Sequence, residues 1–402
     1  MTAPSAPPSV SPASLRGVPM SSVITTIEKE LREIWAQPVA AGEPVKSRAC
    51  TMNLVVVAQS RELAERYTPV VDEVTASIPA RAIIVALSPD EPTAALEGEA
   101  TAVCSISQGA AGALCSERIT LVASGSTCVR VASAVEALCV PEMDTTVVWL
   151  GRVHVDDPIF LSVAGSARRV VLDTEYTSLT SLVKLSAWAR AEEGRPAVAD
   201  LAWTRLSVWQ ELSARFFDPP EMRAHAGGVT RLALKQASEK GARLGAEGAL
   251  FLGWMASRLE WKISRLGGAL RFRRPDGGQV GLGLSATPRP AVVAPGSLTY
   301  VGVVAESGGV VAKGAIERTL ASGLAGETAD ADVLSWKLDV ALPAAAGGSG
   351  GIPSSMQQRV RLHTNKEAAL LINTLHRSVH DPALAEAVAF AEQLSEDGLV
   401  CT

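Results

Sequence analysis

The residues that could do chemistry are five histidines, six cysteines and a scattering of carboxylates. The histidines are His154, His225, His363, His376 and His380. His376 and His380 stand four apart and would share a helix face, but no H-E-x-x-H frames them, so an exposed helix end is the better reading. Asp156, Asp157 and Asp173 fall near predicted strand ends, where α/β active sites gather. No partner base or glycine loop accompanies them, and they read as helix caps and loop residues. A dinucleotide site needs G-x-G-x-x-G between the first strand and its helix. After "NLVVVA" the chain instead reads "QSRELAERY". "GLGLSA" at 281–286 lies within predicted strands, and "GGSGGIPSS" lacks the lysine of a phosphate loop. There is no G-x-S-x-G elbow, no C-x-x-C and no Cys/His run with zinc spacing. These residues therefore assign no catalytic group, no cofactor and no metal.

Two clusters remain. Cys104 and Cys115 flank "SISQGAAGAL"; a hairpin centred on Gly109-Ala110 sets them directly opposite. Opposed Cα atoms in antiparallel strands lie about 4.5 or 5.5 Å apart, within disulfide range. The pair is then either a redox couple or two reduced, buried thiols acting as small hydrophobes. The second cluster is "DLAWTRLSVWQELSARFFDPP", 200–220, in a chain only 4% aromatic. A helix from Thr204 puts Leu206, Trp209, Ser213 and Phe216 on one face and pairs Glu211 with Arg215. Trp203, Thr204 and Arg205 fall where the strand "AVADLAW" gives way to that helix. Trp and Arg dominate protein interfaces, so Trp203, Thr204, Arg205 and Trp209 are candidate partner contacts as well as candidate core.

The elements that must position these groups divide the chain in two. After a Pro/Ser-rich stretch at 1–20, expected to be a disordered tail, an amphipathic helix carries Val23, Ile27, Leu31, Ile34 and Trp35 at helical spacing. A polar link, "AAGEPVKSR", leads to alternating strands and helices: "NLVVVA", "SRELAERYTPVVDEVTASI", "RAIIVAL", "TAVCSIS", "SERITLVAS", "STCVRVASAVEALCV", "TTVVWLG", "RRVVLDT" and "LTSLVKLSAWARAEE". This predicts an α/β domain over 21–220 with a mixed, partly parallel sheet. From 221 to 402 the pattern changes. One apolar helix, "RLGAEGALFLGWMASRLEWKI", sits among strand-like runs with Gly-rich turns. That predicts an α+β domain with a mainly antiparallel sheet, a flexible loop at 343–355 and two C-terminal helices. The formal charge of −5 and pI near 5.7 exclude a nucleic-acid binder, and no apolar run reaches the roughly 18 residues of a membrane span. A reducing cytoplasm is the expected compartment.

Four segments occur in an order that carries a resemblance: "RACTMNLVVVA", "CSERITL", "DLAWTRLSVWQEL" and "WMASRLEW", with "VVWLGRVHVDDPIF…ARRVVLDT" between the second and third. From about Ile24 to the final helices the chain resembles the OpcA family, the glucose-6-phosphate dehydrogenase assembly proteins of bacteria. The resemblance implies a cytoplasmic, non-enzymatic partner of glucose-6-phosphate dehydrogenase that promotes that enzyme's active oligomer at the entry to the oxidative pentose phosphate pathway. In some family members cysteines are tied to thioredoxin-dependent control. The alternative is a regulatory protein that senses a sugar phosphate or nucleotide at strand C-terminal ends.

Overall fold

A computed structural model describes residues 19–36, 45–105, 112–175, 177–238, 243–266, 269–288, 295–320, 332–341, 354–362 and 367–396. The chain forms two compact units. One holds Met1–Val171 with Glu192–Ala197, and the other Leu172–Ala191 with Val198–Thr402. Residues 172–191 and 198–220, grouped by their pattern with the α/β half, thus pack with the second unit. The expected tail at 1–18 and the loop at 343–353 lie outside the described residues. Ser354 and Ser355, expected in that loop, open a strand.

The first unit begins with α1 (Met20–Ala36), which buries Val23, Ile27 and Leu31 as its apolar spacing requires. β1 (Val45–Arg48) follows, then β2 (Asn53–Ala58), α2 (Arg61–Ser77), β3 (Arg81–Ser88), β4 (Ala95–Ser105) and β5 (Gly112–Ser124). After α3 (Val131–Leu138) come β6 (Thr145–Leu150), α4 (Pro158–Ala164) and β7 (Arg169–Leu172). β1 is a correction: its four residues read as part of a polar link, yet they pair in parallel with β5. α4 also escaped the periodicity. Its start is fixed by Asp157, whose side chain accepts from Ile159 N, with Pro158 at the first helical position.

The sheet order is β1-β5-β3-β2-β6-β7-β8, with β4 antiparallel on β5. β8 (Ala197–Asp200) leads the chain into the second unit, after α5 (Leu179–Arg190). The pairs β5/β3, β3/β2, β2/β6 and β6/β7 are parallel. Leaving out β1 and β4 and counting from β2, this is the spatial order 3-2-1-4-5-6 of doubly wound dinucleotide-binding domains. Central strands buried on both faces must be continuously apolar, which is why β2 reads Leu-Val-Val-Val-Ala and β3 Ala-Ile-Ile-Val-Ala-Leu, nearly every residue buried.

The second unit continues with α6 (Leu201–Arg205) and α7 (Ser207–Ala214), then β9 (Val229–Ala237), α8 (Ala246–Arg258), β10 (Lys262–Leu266), β11 (Ala269–Arg273) and β12 (Gln279–Thr287). β13 (Leu298–Ser307), β14 (Val310–Leu320), β15 (Asp332–Ala341) and β16 (Ser354–Leu362) precede α9 (Glu367–His376) and α10 (Pro382–Glu396). Its sheet runs β10-β11-β12-β9-β13-β14-β15-β16; β12 lies parallel to β9 and the other pairs are antiparallel. The expected helix through Ile263 stops earlier. Glu260 adopts a left-handed conformation (φ 55), and Trp261 N donates to Ala256 O at 2.8 Å while Glu260 N donates to Ser257 O at 3.4 Å. That is a Schellman ending with glutamate where glycine is usual, so no composition signal marks it. Among the described residues no helix is long and apolar enough to cross a membrane.

Candidate functional site

In a sheet of this order a dinucleotide lies across the crevice at the C-terminal ends of the first and fourth strands, with its pyrophosphate at the first helix's N-terminus. Here those strands are β2 and β6. The turn after β2 is Gln59-Ser60, without glycine. The Ser60 side chain accepts from Leu63 N at 3.1 Å and so caps α2 itself. Gln59 reaches across to the turn after β6: its Nε2 donates to Arg152 O at 2.7 Å, and Arg152 N donates to its Oε1 at 2.8 Å. The Trp149 indole N–H donates to the same Arg152 carbonyl at 3.1 Å. Gly151 is required here, because it has φ +109 and a Cβ would stand 2.3 Å from Gln59 Oε1. Gln59, itself exposed, thus bridges the turns after β2 and β6 where a dinucleotide site would have its glycine loop.

The tryptophan-rich corner lies in the second unit and turns inward. α6 starts at Leu201 rather than Thr204, because Asp200 accepts from Ala202 N and caps it there. Trp203, Thr204 and Arg205 are therefore helical, not the rim of a strand. Trp203 and Trp209 are each 3% exposed and Thr204 5%, and Arg205's side chain is 15% exposed. Trp203 Nε1 donates to Asp381 Oδ2 at 2.8 Å, and that aspartate caps α10 by accepting from Ala383 N and Leu384 N. The Thr204 and Thr374 hydroxyls meet at 2.7 Å, tying α6 to α9. All four side chains, expected as candidate partner contacts or core, are turned into the protein rather than presented at its surface. Large aromatics and arginine suit interfaces and cores alike, which is why residue type alone did not separate the two.

Arg205 is the centre of an ionic cluster. It holds Asp173 with both terminal nitrogens, at 3.2 and 2.5 Å, Glu175 at 3.3 Å and Glu247 through Nε at 3.2 Å. Glu247 also accepts from Leu298 N at 2.9 Å, which fixes α8 to β13. Burial opposes Arg205's charge, but Asp173, Glu247 and Glu175 outweigh it and hold the guanidinium more firmly protonated than usual. Burial raises the Glu175 carboxyl against the pull of Arg205. Asp200 is fully enclosed; burial, then the charge of Asp173, pushes it up to about 7, despite hydrogen bonds from Thr174 N and Oγ1 at 2.9 and 2.8 Å. Asp173 thus has a structural partner that no local motif could reveal, since Arg205 and Glu247 are distant in sequence.

Cys104 and Cys115 face one another in the β4–β5 register and are joined as a disulfide, Cα atoms 3.9 Å apart. Cys115 is buried and Cys104 exposed. Cys128 and Cys139 are free, and burial pushes both thiols up, away from reactivity. Among the described residues no group of three or more His, Cys, Asp or Glu could hold a metal. His376 ends α9 and His380 lies beyond it, both exposed.

The model of the glucose-6-phosphate dehydrogenase subunit N-terminal domain matches residues 39–187, and that of its C-terminal domain matches residues 196–388. The chain belongs to the OpcA family. A Synechocystis sp. protein named "Putative OxPP cycle protein OpcA" is 29% identical over 216 residues, 51% of this chain and 44% of that protein. A Synechococcus elongatus protein of the same name is 32% identical over 181 residues, 44% of this chain and 40% of the other. The OpcA-family chain thus matches less than half the length of these curated relatives. An NAD binding oxidoreductase from Klebsiella pneumoniae (TM-score 0.42, 11% identity, 86% of this chain and 96% of that one) and an oxidoreductase from Sinorhizobium meliloti (0.43, 13%, 88% and 99%) are similar in outline. Neither score is high enough to carry an argument.

Proposed function

We propose that this OpcA-family chain is a non-enzymatic assembly factor that binds glucose-6-phosphate dehydrogenase and favours its active oligomer. The observation that carries this reading is the Gln59 clasp. A sheet with the strand order of a dinucleotide enzyme has the turns at its switch point joined by the Gln59 side chain, with no glycine loop after β2, which supports a role other than dinucleotide chemistry. The family match supports the choice of partner. An activator must bind the active state of its target better than the inactive one, and a tenfold shift requires about 1.4 kcal/mol of differential affinity. Trp203, Thr204 and Arg205 serve this function by fixing α6 to α10, α9 and α8, and Trp209 by packing inside the same unit, rather than by touching the dehydrogenase.

The test is co-elution of the purified chain with the host's glucose-6-phosphate dehydrogenase on a sizing column. A complex larger than either protein, with the dehydrogenase shifted to a higher oligomer, is the expected result. Separate elution at micromolar concentrations of both would remove the proposal.

A further inference from the structure

We propose that the cleft between α1 and the β1–β5 edge of the first unit binds a small phosphorylated metabolite. The cleft has a volume of about 580 Å³ and is lined by Arg32, Lys46, Arg48 and Arg81 against only Glu28 and Glu117. That is a local excess of cations in a chain whose net charge is −5. Its size falls in the range of small-molecule sites, about 300–1,000 Å³.

The floor is preorganised. Glu117 on β5, its side chain 2% exposed, accepts from three donors: Trp35 Nε1 at 2.7 Å, Arg81 Nε at 2.7 Å, and Arg48 through Nε at 2.8 Å and Nη2 at 3.1 Å. Arg81 is fixed further by donating to Leu138 O at 2.8 Å. One carboxylate thus orients two guanidiniums. Arg48 is held through one edge while 47% of its side chain stays exposed, so its ordering cost is met before a ligand arrives. Arg32 and Lys46 add exposed cations at the mouth. Trp35, its indole N–H committed to Glu117, contributes an apolar wall. Fixed arginines with a nearby lysine and an aromatic wall suit a phosphate ester carried on a ring. The cleft lies at the N-terminal end of β3, at the opposite end of the strands from the Gln59 bridge, and uses none of its residues.

The test uses the full chain alone, without the dehydrogenase, so its outcome is separate from that of the assembly reading. Calorimetric titrations would compare glucose 6-phosphate with glucose and 5′-AMP with adenosine. At least one ester is expected to bind at least about tenfold tighter than its unphosphorylated control. That preference is expected to vanish in the Arg32→Glu, Lys46→Glu double variant with an unchanged melting temperature; Lys46→Glu alone, expected to weaken binding severalfold, serves if the pair unfolds. Absence of binding by both esters at millimolar concentration would overturn the proposal, as would binding that the charge reversals leave intact. The two ester arms distinguish a sugar phosphate from a nucleotide.

Discussion

Arg205 faces three carboxylates, so its removal and its conservative replacement have different consequences. Arg205→Ala leaves Asp173, Glu175 and Glu247 together without a cation in a mostly buried site. It is expected to destabilise the chain by about 3–5 kcal/mol, read as a lower urea midpoint. Arg205→Lys keeps the charge but loses the fork and falls between. Asp200 sets a pH dependence. Its folded pKa, about 7, exceeds the 3.8 of an ordinary aspartate, so the folded state keeps a proton that the unfolded chain releases. Stability therefore falls as pH rises from about 4 to about 7 and levels off above. Asp200→Asn can still accept from Thr174 N and Ala202 N, and it should flatten that slope in urea titrations at about pH 5 and pH 8. An unchanged slope would show that other groups set it. Arg205 and Asp173 stood out separately in the sequence, but Asp173, Glu175 and Glu247 become the neighbours of Arg205 only through the fold.

At the scale of elements, the β4–β5 hairpin was readable because Cys104 and Cys115 are placed symmetrically about Gly109-Ala110. Their pairing follows from register alone. The unfolded protein is expected to show two more titratable thiols after reduction than before, and Cys104→Ser should abolish the difference; equal counts would leave both thiols free. Closing a loop with a sequence separation of 11 is worth about 2–3 kcal/mol, so reduction should also lower the urea midpoint. β1 was not readable, since one valine followed by three polar residues at a sheet edge carries neither alternation nor an apolar run. The end of α8 was not readable either, because Glu260 holds a conformation that glycine usually signals. Glu260→Gly should relieve that strain and raise stability, by less than about 1 kcal/mol after the entropy glycine loses on folding. A lower midpoint would show that the glutamate side chain compensates locally.

For the whole molecule, periodicity distinguished an α/β half from a half rich in antiparallel strands, because parallel central strands need continuous apolar runs and antiparallel ones alternate. It could not give the strand order, which depends on which crossovers pass which way, nor the exchange of 172–191 and 198–220 into the second unit. The missing glycine loop was visible in "QSRELAERY"; that Gln59 bridges the turns after β2 and β6 required Arg152 to be placed beside it. The most direct measurement is the rate of NADPH formation by the host's glucose-6-phosphate dehydrogenase as the chain is titrated in. The account predicts a saturable rise in dehydrogenase activity, with no turnover by the chain alone. An unaltered rate at saturating chain, or turnover of glucose 6-phosphate by the chain without the dehydrogenase, would contradict it.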